Sequence, residues 1–195
     1  MVDPLPFATF SFVMSITPGP NNLMLTASGA TFGFQRTVPH MVGICLGCAL
    51  QMLAVCAGLG ALFDIFPATQ TVLRWAGAIY LVYLGWKLLR SRVGDGRENA
   101  APVTLLQALL FQFLNPKAWI MSITGASVFM PRELGPLLAN AYMVSVLSMI
   151  CAPCIVVWAL FGTSLRGWLT VPAAQLAFNT VMAISLGVTA IMMVL

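Results

Sequence analysis

Six apolar segments, each on the order of 20 residues or longer, occupy nearly all of this 195-residue chain. They run near 5–32, 38–63, 69–90, 104–130, 136–162 and 172–195, with only short connections between them. Hydrophobic residues make up 60% of the chain and charged residues 7%, a balance that cannot cover a water-facing surface. The chain therefore reads as an all-α polytopic membrane protein with six transmembrane helices and no separate soluble domain. No Lys or Arg precedes Arg36, and Asp3 is acidic, so the first segment lacks the basic start of a secretory signal and is expected to stay as a helix. No glycine-rich phosphate loop is present, which leaves no case for ATP-driven transport within this chain.

The basic residues orient the spans. Arg36 follows the first span, Lys87, Arg90, Arg92 and Arg97 end the third and fill the loop after it, and Arg166 follows the fifth. All of them fall on one side, opposite Arg74, Arg132, Asp3, Asp64 and Glu133. The positive-inside rule then places both the N-terminus and the C-terminus outside. The net charge of +4 reflects this topology and gives no argument for nucleic-acid binding. Within the third span, Arg74 and Lys87 bracket an apolar stretch of roughly 18 Å and are expected to snorkel toward opposite headgroup layers. Trp75, Tyr80, Tyr83 and Trp86 suit interfacial or packing positions there.

Two of the six segments are interrupted by a helix-start signal. The first reads Thr17-Pro18-Gly19-Pro20-Asn21-Asn22 and the second Asn115-Pro116-Lys117. Each sets a capping residue before a proline, Thr17 before Pro18 and Asn115 before Pro116, as an N-cap and first turn prefer. The interruptions fall in the first helix of each three-span half, on either side of a charged 91–103 loop. The expected organisation is one transmembrane domain over 1–195, with 1–90 as a first repeat, 91–103 as a cytoplasmic loop and 104–195 as an inverted second repeat. Paired interruptions of this kind point to a transporter binding site near the bilayer midplane.

With the halves inverted, two helix N-termini meet near the midplane from opposite sides, and Lys117 adds a positive charge. Such a place attracts a carboxylate. Asn21, Asn22, Gln112 and Asn115 add amide donors and acceptors, and Gly19 lets backbone approach closely. Carbonyls freed near Val13–Ile16 and Phe111–Leu114 are expected to accept from an ammonium group. The candidate substrate-binding set is Thr17, Pro18, Gly19, Pro20, Asn21, Asn22, Gln112, Asn115, Pro116 and Lys117, matched to a small zwitterion.

Cys45/Cys48 and Cys151/Cys154 form two Cys-x-x-Cys pairs in counterpart spans. Residues three apart share a helix face, so a membrane thiol-redox or soft-metal carrier is the rival reading. The bland alternative is that cysteine is a small apolar filler. For proton coupling the candidates are His40, the only histidine, and Lys117; all five carboxylates lie at span ends or in loops. Gly29/Gly33 and Gly43/Gly47 have the spacing of close helix contacts and leave a homodimer open.

The string Thr17–Asn22 resembles the first-helix signature of the LysE/RhtB family of amino-acid exporters. Trp75-Ala76-Gly77-Ala78-Ile79-Tyr80-Leu81, Leu84-Gly85-Trp86-Lys87 and Asn115-Pro116-Lys117 look like that family's later motifs, in the same order. The resemblance implies secondary-active, proton-coupled antiport of a small amino acid or derivative out of the bacterial cytoplasm, by alternating access. Homoserine and threonine, cysteine and O-acetylserine, or basic amino acids are the candidate substrates. The partners are then the substrate, protons and the lipid bilayer. No enzymatic activity, cofactor or metal is expected. The chain departs from the pattern in its cysteine content and in ending at Leu195 without a charged tail.

Overall fold

The computed structural model describes residues 2–59, 65, 67–90, 101–131 and 133–195. Asp64, Arg92, Arg97 and Arg132, used above for orientation, lie outside the described residues. Within them the fold is all-helical: α1 (Leu5–Ile16), α2 (Pro20–Phe32), α3 (Phe34–Cys56), α4 (Pro67–Leu89), α5 (Leu105–Leu114), α6 (Pro116–Phe129), α7 (Pro136–Leu165) and α8 (Pro172–Val194), with a 3₁₀ turn at Trp168–Thr170. Helices α3, α4, α7 and α8 each contain a stretch long and apolar enough to cross a membrane. The other four are short. α1 and α2 have 12 and 13 residues, and α5 and α6 have 10 and 14. At about 1.5 Å per residue none of these reaches the roughly 30 Å of a bilayer core alone.

Both expected interruptions are present, and one is displaced. Asn115 is the N-cap of α6, with Pro116 in its first turn. In the first half, Thr17 instead ends α1, and α2 begins at Pro20 with Gly19 as its N-cap. The Thr17 hydroxyl turns back to donate to Val13 O at 2.8 Å, so it closes the preceding helix and does not open the next. Two Pro residues separated by one glycine allow either register from sequence. The back-bonding threonine selects the later one.

Packing crosses between the halves. Helix α3 lies on α5 and α6, while α7 lies on α1 and α2; α4 pairs with α8. Glycines set the close approaches. A Cβ at Gly43 would strike Leu105 O and Ala108, and one at Gly47 would meet Leu109 O and Gln112, so α3 and α5 run in the same direction. Tyr142 Oη donates to Asp3 O and Trp158 Nε1 to Ile16 O, which makes α1 and α7 parallel as well. Helices α4 and α8 are antiparallel, since Gly77 meets Met193 and Gly85 faces Ala183. Gly33, at φ 81°, turns the chain between α2 and α3 beside the Arg166 guanidinium. Arg36 and Arg166 therefore lie at one end of the bundle. The glycine rows noted in the sequence are thus used within the chain.

Apolar side chains line the inside and the outside alike. Phe7, Leu25, Met52, Met143 and Leu147 form part of one fully buried cluster, and Leu81, Phe111 and Leu186 part of another. Exposed Val72, Trp75, Ile79, Val82 and Trp86 on α4, with Leu176, Ile184, Val188 and Met192 on α8, give an outer face suited to lipid. Trp86 carries Arg90 over its ring at 4.2 Å, and Tyr80 packs on Phe111. Gly162 tests the interlock. Its Cβ would collide with the Thr26 backbone, whereas Gly187 has open space. Gly162→Leu is expected to lower thermal stability in detergent by about 1–3 kcal/mol, as overpacking does. Gly187→Leu, run alongside, should melt with the parent; equal melting of both variants would contradict the α2–α7 contact.

Candidate substrate site

The two breaks meet at one cavity, with a water-accessible volume of about 40 Å³. By the measure that one water needs about 10–15 Å³, it has room for roughly three waters. Gly19, Pro20, Asn21 and Asn22 line it from the first break, and Asn115 and Lys117 from the second. Thr17, Pro18, Gln112 and Pro116 do not line it, although Thr17, Pro18 and Gln112 bond residues that do. The walls also take residues that the motifs did not indicate. Met14, Met121, Cys48 and Cys151 face the cavity, so sulfur forms much of its apolar side.

Lys117 crosses between the halves to the end of α1. Its ammonium nitrogen donates to Thr17 O at 2.8 Å, Thr17 Oγ1 at 2.9 Å and Pro18 O at 3.3 Å. A helix C-terminus carries roughly half a negative charge in its unpaired carbonyls, so an ammonium group is held there by charge as well as by hydrogen bonds. Thr17 and Pro18 are exposed while Lys117 is half-buried, so this contact lies at an open edge of the site. Gly19 makes the crossing possible: a Cβ there would lie 2.9 Å from Lys117 Cδ and 3.2 Å from its Nζ.

The freed carbonyls were expected to await a ligand, and most already have partners. Asn22 Nδ2 donates to Ser15 O at 2.9 Å and Thr17 O at 2.8 Å, and Trp158 Nε1 reaches Ile16 O at 3.2 Å. In the second break, Gln112 O accepts from Asn115 N and Gln51 Nε2, and Phe113 O accepts from Trp119 Nε1. Burial explains this, because unpaired backbone away from water costs about as much as a lost hydrogen bond. The amides are likewise engaged. Asn21 and Gln112 exchange two hydrogen bonds, at 2.8 and 3.2 Å, across the two halves.

The two helix N-termini are also unequal. Asn115 Oδ1 accepts from Lys117 N, and Asn115 O accepts from Ala118 N and Trp119 N, so the start of α6 is closed by its own cap. Gly19 provides no side-chain cap for α2, and the first backbone bond there is Leu23 N to Gly19 O. The Asn21 and Asn22 N–H groups come before that bond, so the start of α2 is the uncapped one. The expected symmetric pair of electropositive ends is thus one open end and one capped end.

The remaining candidates separate. His40 is fully buried on α3, neither ring nitrogen has a hydrogen-bond partner, and it does not line the cavity. Cys48 lies against Cys151 rather than pairing with Cys45, and its thiol reaches Gln112 Oε1 at 3.6 Å. The five cysteines are free, and among the described residues no group of three His, Cys, Asp or Glu side chains is placed to hold a metal ion. Arg74 lines a separate cavity of about 100 Å³ with Leu114, Pro116 and Trp119.

The profile of the LysE type translocators matches residues 12–195. The chain belongs to this family. Its relatives include proteins named cysteine/O-acetylserine efflux protein from Escherichia coli K12 and Shigella flexneri, 33% identical over 157 residues, with 80% of each chain covered. A protein of the same name from Escherichia coli O1:K1 is 32% identical over the same length. No solved structure matches the chain. The translocator's amide bridge can be tested by a double-mutant cycle. Asn21→Ala and Gln112→Ala should each destabilise it, and the pair should be non-additive by about 1 kcal/mol. Strict additivity in thermal melts would mean the two amides do not bond.

Proposed function

We propose that this translocator is a secondary-active exporter of a small neutral amino acid or derivative, working by alternating access around the cavity between the two breaks. The carrying observation is that cavity: residues of both breaks line it, and among the described residues the only cation on its wall is Lys117. The two ends of a zwitterion match the chemistry of the first break once Lys117 has left the α1 carbonyls. Its carboxylate would take the open N–H groups of α2, and its ammonium the carbonyls that end α1. The sulfur-rich wall suits a short, polarisable side chain, in keeping with the relatives' names, so cysteine and O-acetylserine are the substrates proposed. The same wall counts against a separate thiol-redox or metal carrier, because its cysteines belong to the substrate cavity.

The reading includes six spans in two inverted repeats, 1–90 and 104–195. Neither α1 nor α2 alone is long enough to span a bilayer, but their summed length would be, as would that of α5 and α6. The parallel α1–α7 and α3–α5 contacts and the antiparallel α4–α8 contact suit a chain that crosses alternately six times. Exchange of partners between the halves suits a pseudo-two-fold axis. Arg36 and Arg166 at one end support a cytoplasmic face there, with both termini outside the inner membrane.

The exporter should move labelled L-cysteine or O-acetyl-L-serine into inverted membrane vesicles, and a protonophore should abolish uphill movement. Gly19→Leu places a side chain on Lys117 and should cut the rate on the order of tenfold or more through misplacement of the site. A cysteine-free variant should still transport, with altered preference among side chains. An inactive cysteine-free protein beside a fully active Gly19→Leu protein would favour the thiol carrier.

A further inference from the structure

The exporter reading leaves its driving ion without a carrier, and the contacts of Lys117 bear on that gap. Three oxygens hold its ammonium group: Thr17 O, Thr17 Oγ1 and Pro18 O, at 2.8, 2.9 and 3.3 Å. They form the acceptor set a substrate ammonium needs, because they sit at the carbonyl end of α1 while the open N–H end of α2 lies only a few residues on. The cavity beside them has room for roughly three waters with Lys117 in place.

No carboxylate or histidine lines the cavity among the described residues. The titratable groups facing it from the packed helices are the thiols of Cys48 on α3 and Cys151 on α7; α1, α2 and α6 contribute none besides Lys117 itself. The charge on Lys117 thus has no anionic side chain to balance it in the cavity, and its acceptors are the three oxygens alone. Two ammonium groups do not readily share three acceptors, since like charges a few ångströms apart repel and each needs the same lone pairs.

We propose that Lys117 is a tethered competitor for the substrate's ammonium subsite, and that this competition is the coupling step. The proposal rests on the exporter reading. With the cavity open to the cytoplasm, the substrate ammonium takes Thr17 O, Thr17 Oγ1 and Pro18 O. The displaced Lys117 ammonium loses its proton to cytoplasmic water and becomes a neutral amine. With the cavity open to the outside, the substrate leaves, the amine takes a proton from outside water, and the ammonium returns to the three oxygens. One proton enters for each zwitterion exported. The cycle moves one positive charge inward, so both the pH gradient and the membrane potential drive it.

Lys87 and Lys117 are the only lysines in the chain, which permits a direct test. Protein carrying Lys87→Arg, labelled with ¹⁵N-lysine and placed in lipid nanodiscs, reports the charge state of Lys117 alone. Adding L-cysteine under reducing conditions should move the ζ-nitrogen resonance from the ammonium to the amine position and release about one proton per bound substrate into weakly buffered solution. Lys117→Arg keeps a permanent charge and should weaken L-cysteine binding by about tenfold or more. Lys117→Gln should bind it with a pH-independent affinity and equilibrate it across vesicles without concentrating it. A ζ-nitrogen that stays ammonium with substrate bound, or concentrative transport by Lys117→Gln, overturns the proposal. If wild-type protein neither binds nor transports small amino acids, the exporter reading itself fails. Transport by wild type with an unchanged lysine signal refutes the coupling role alone.

Discussion

Breaking a helix inside a membrane frees backbone groups that no water is present to satisfy, and this structure answers that cost with side chains borrowed across the two halves. At the end of α1 the donors are Asn22, Trp158 and Lys117; at the end of α5 they are Gln51 and Trp119. Trp158, Lys117 and Gln51 come from other parts of the chain, so the breaks persist only while α3, α6 and α7 are docked. The same contacts that make the breaks tolerable also tie the halves together. A chain built this way cannot lose its tertiary packing and keep its site.

The glycine contacts serve that requirement. Without a Cβ at Gly43 and Gly47, α5 approaches α3 closely enough for Gln51 to reach Gln112 O. Without one at Gly162, α7 approaches α2, and Trp158 reaches Ile16 O from the same helix. In hydrocarbon there is little hydrophobic force to drive one helix against another, so close backbone approach and these few polar bonds carry the association. Small residues and polar residues thus act together on each helix face.

Much of this was legible from residue type and spacing. Helix positions followed from hydropathy, and Asn115-Pro116 was recognisable as a cap because asparagine before proline has one helical reading. The first break was less so, because Thr17-Pro18 and Gly19-Pro20 both satisfy the local rule. The choice rests on the Thr17 hydroxyl, which can bond backward or forward with equal local logic. Gly19 and Lys117 are both candidates from the sequence, while their contact depends on how two halves dock and has no local signal. Cys48 and Cys151 showed the reverse: their i, i+3 spacing drew attention to pairs within each helix, yet the meeting that forms is between helices.

The asymmetry of the two breaks is the feature that most shapes what the site can do. A strictly symmetric pair would present two capped or two open helix starts, and it would bind an anion as well as a zwitterion. Here Asn115 closes α6 with its own side chain, and the lysine two residues on reaches the carbonyl end of α1. In the proposed exporter one half would supply the two complementary ends for a zwitterion, and the other a cation, Lys117, that fits one of them. A free anion would gain from α2 but find the ammonium subsite still filled by Lys117, leaving nothing to move the lysine. On that proposal only a ligand that carries its own cation would displace that group, which would give the site a chemical reason to prefer amino acids to simple carboxylates.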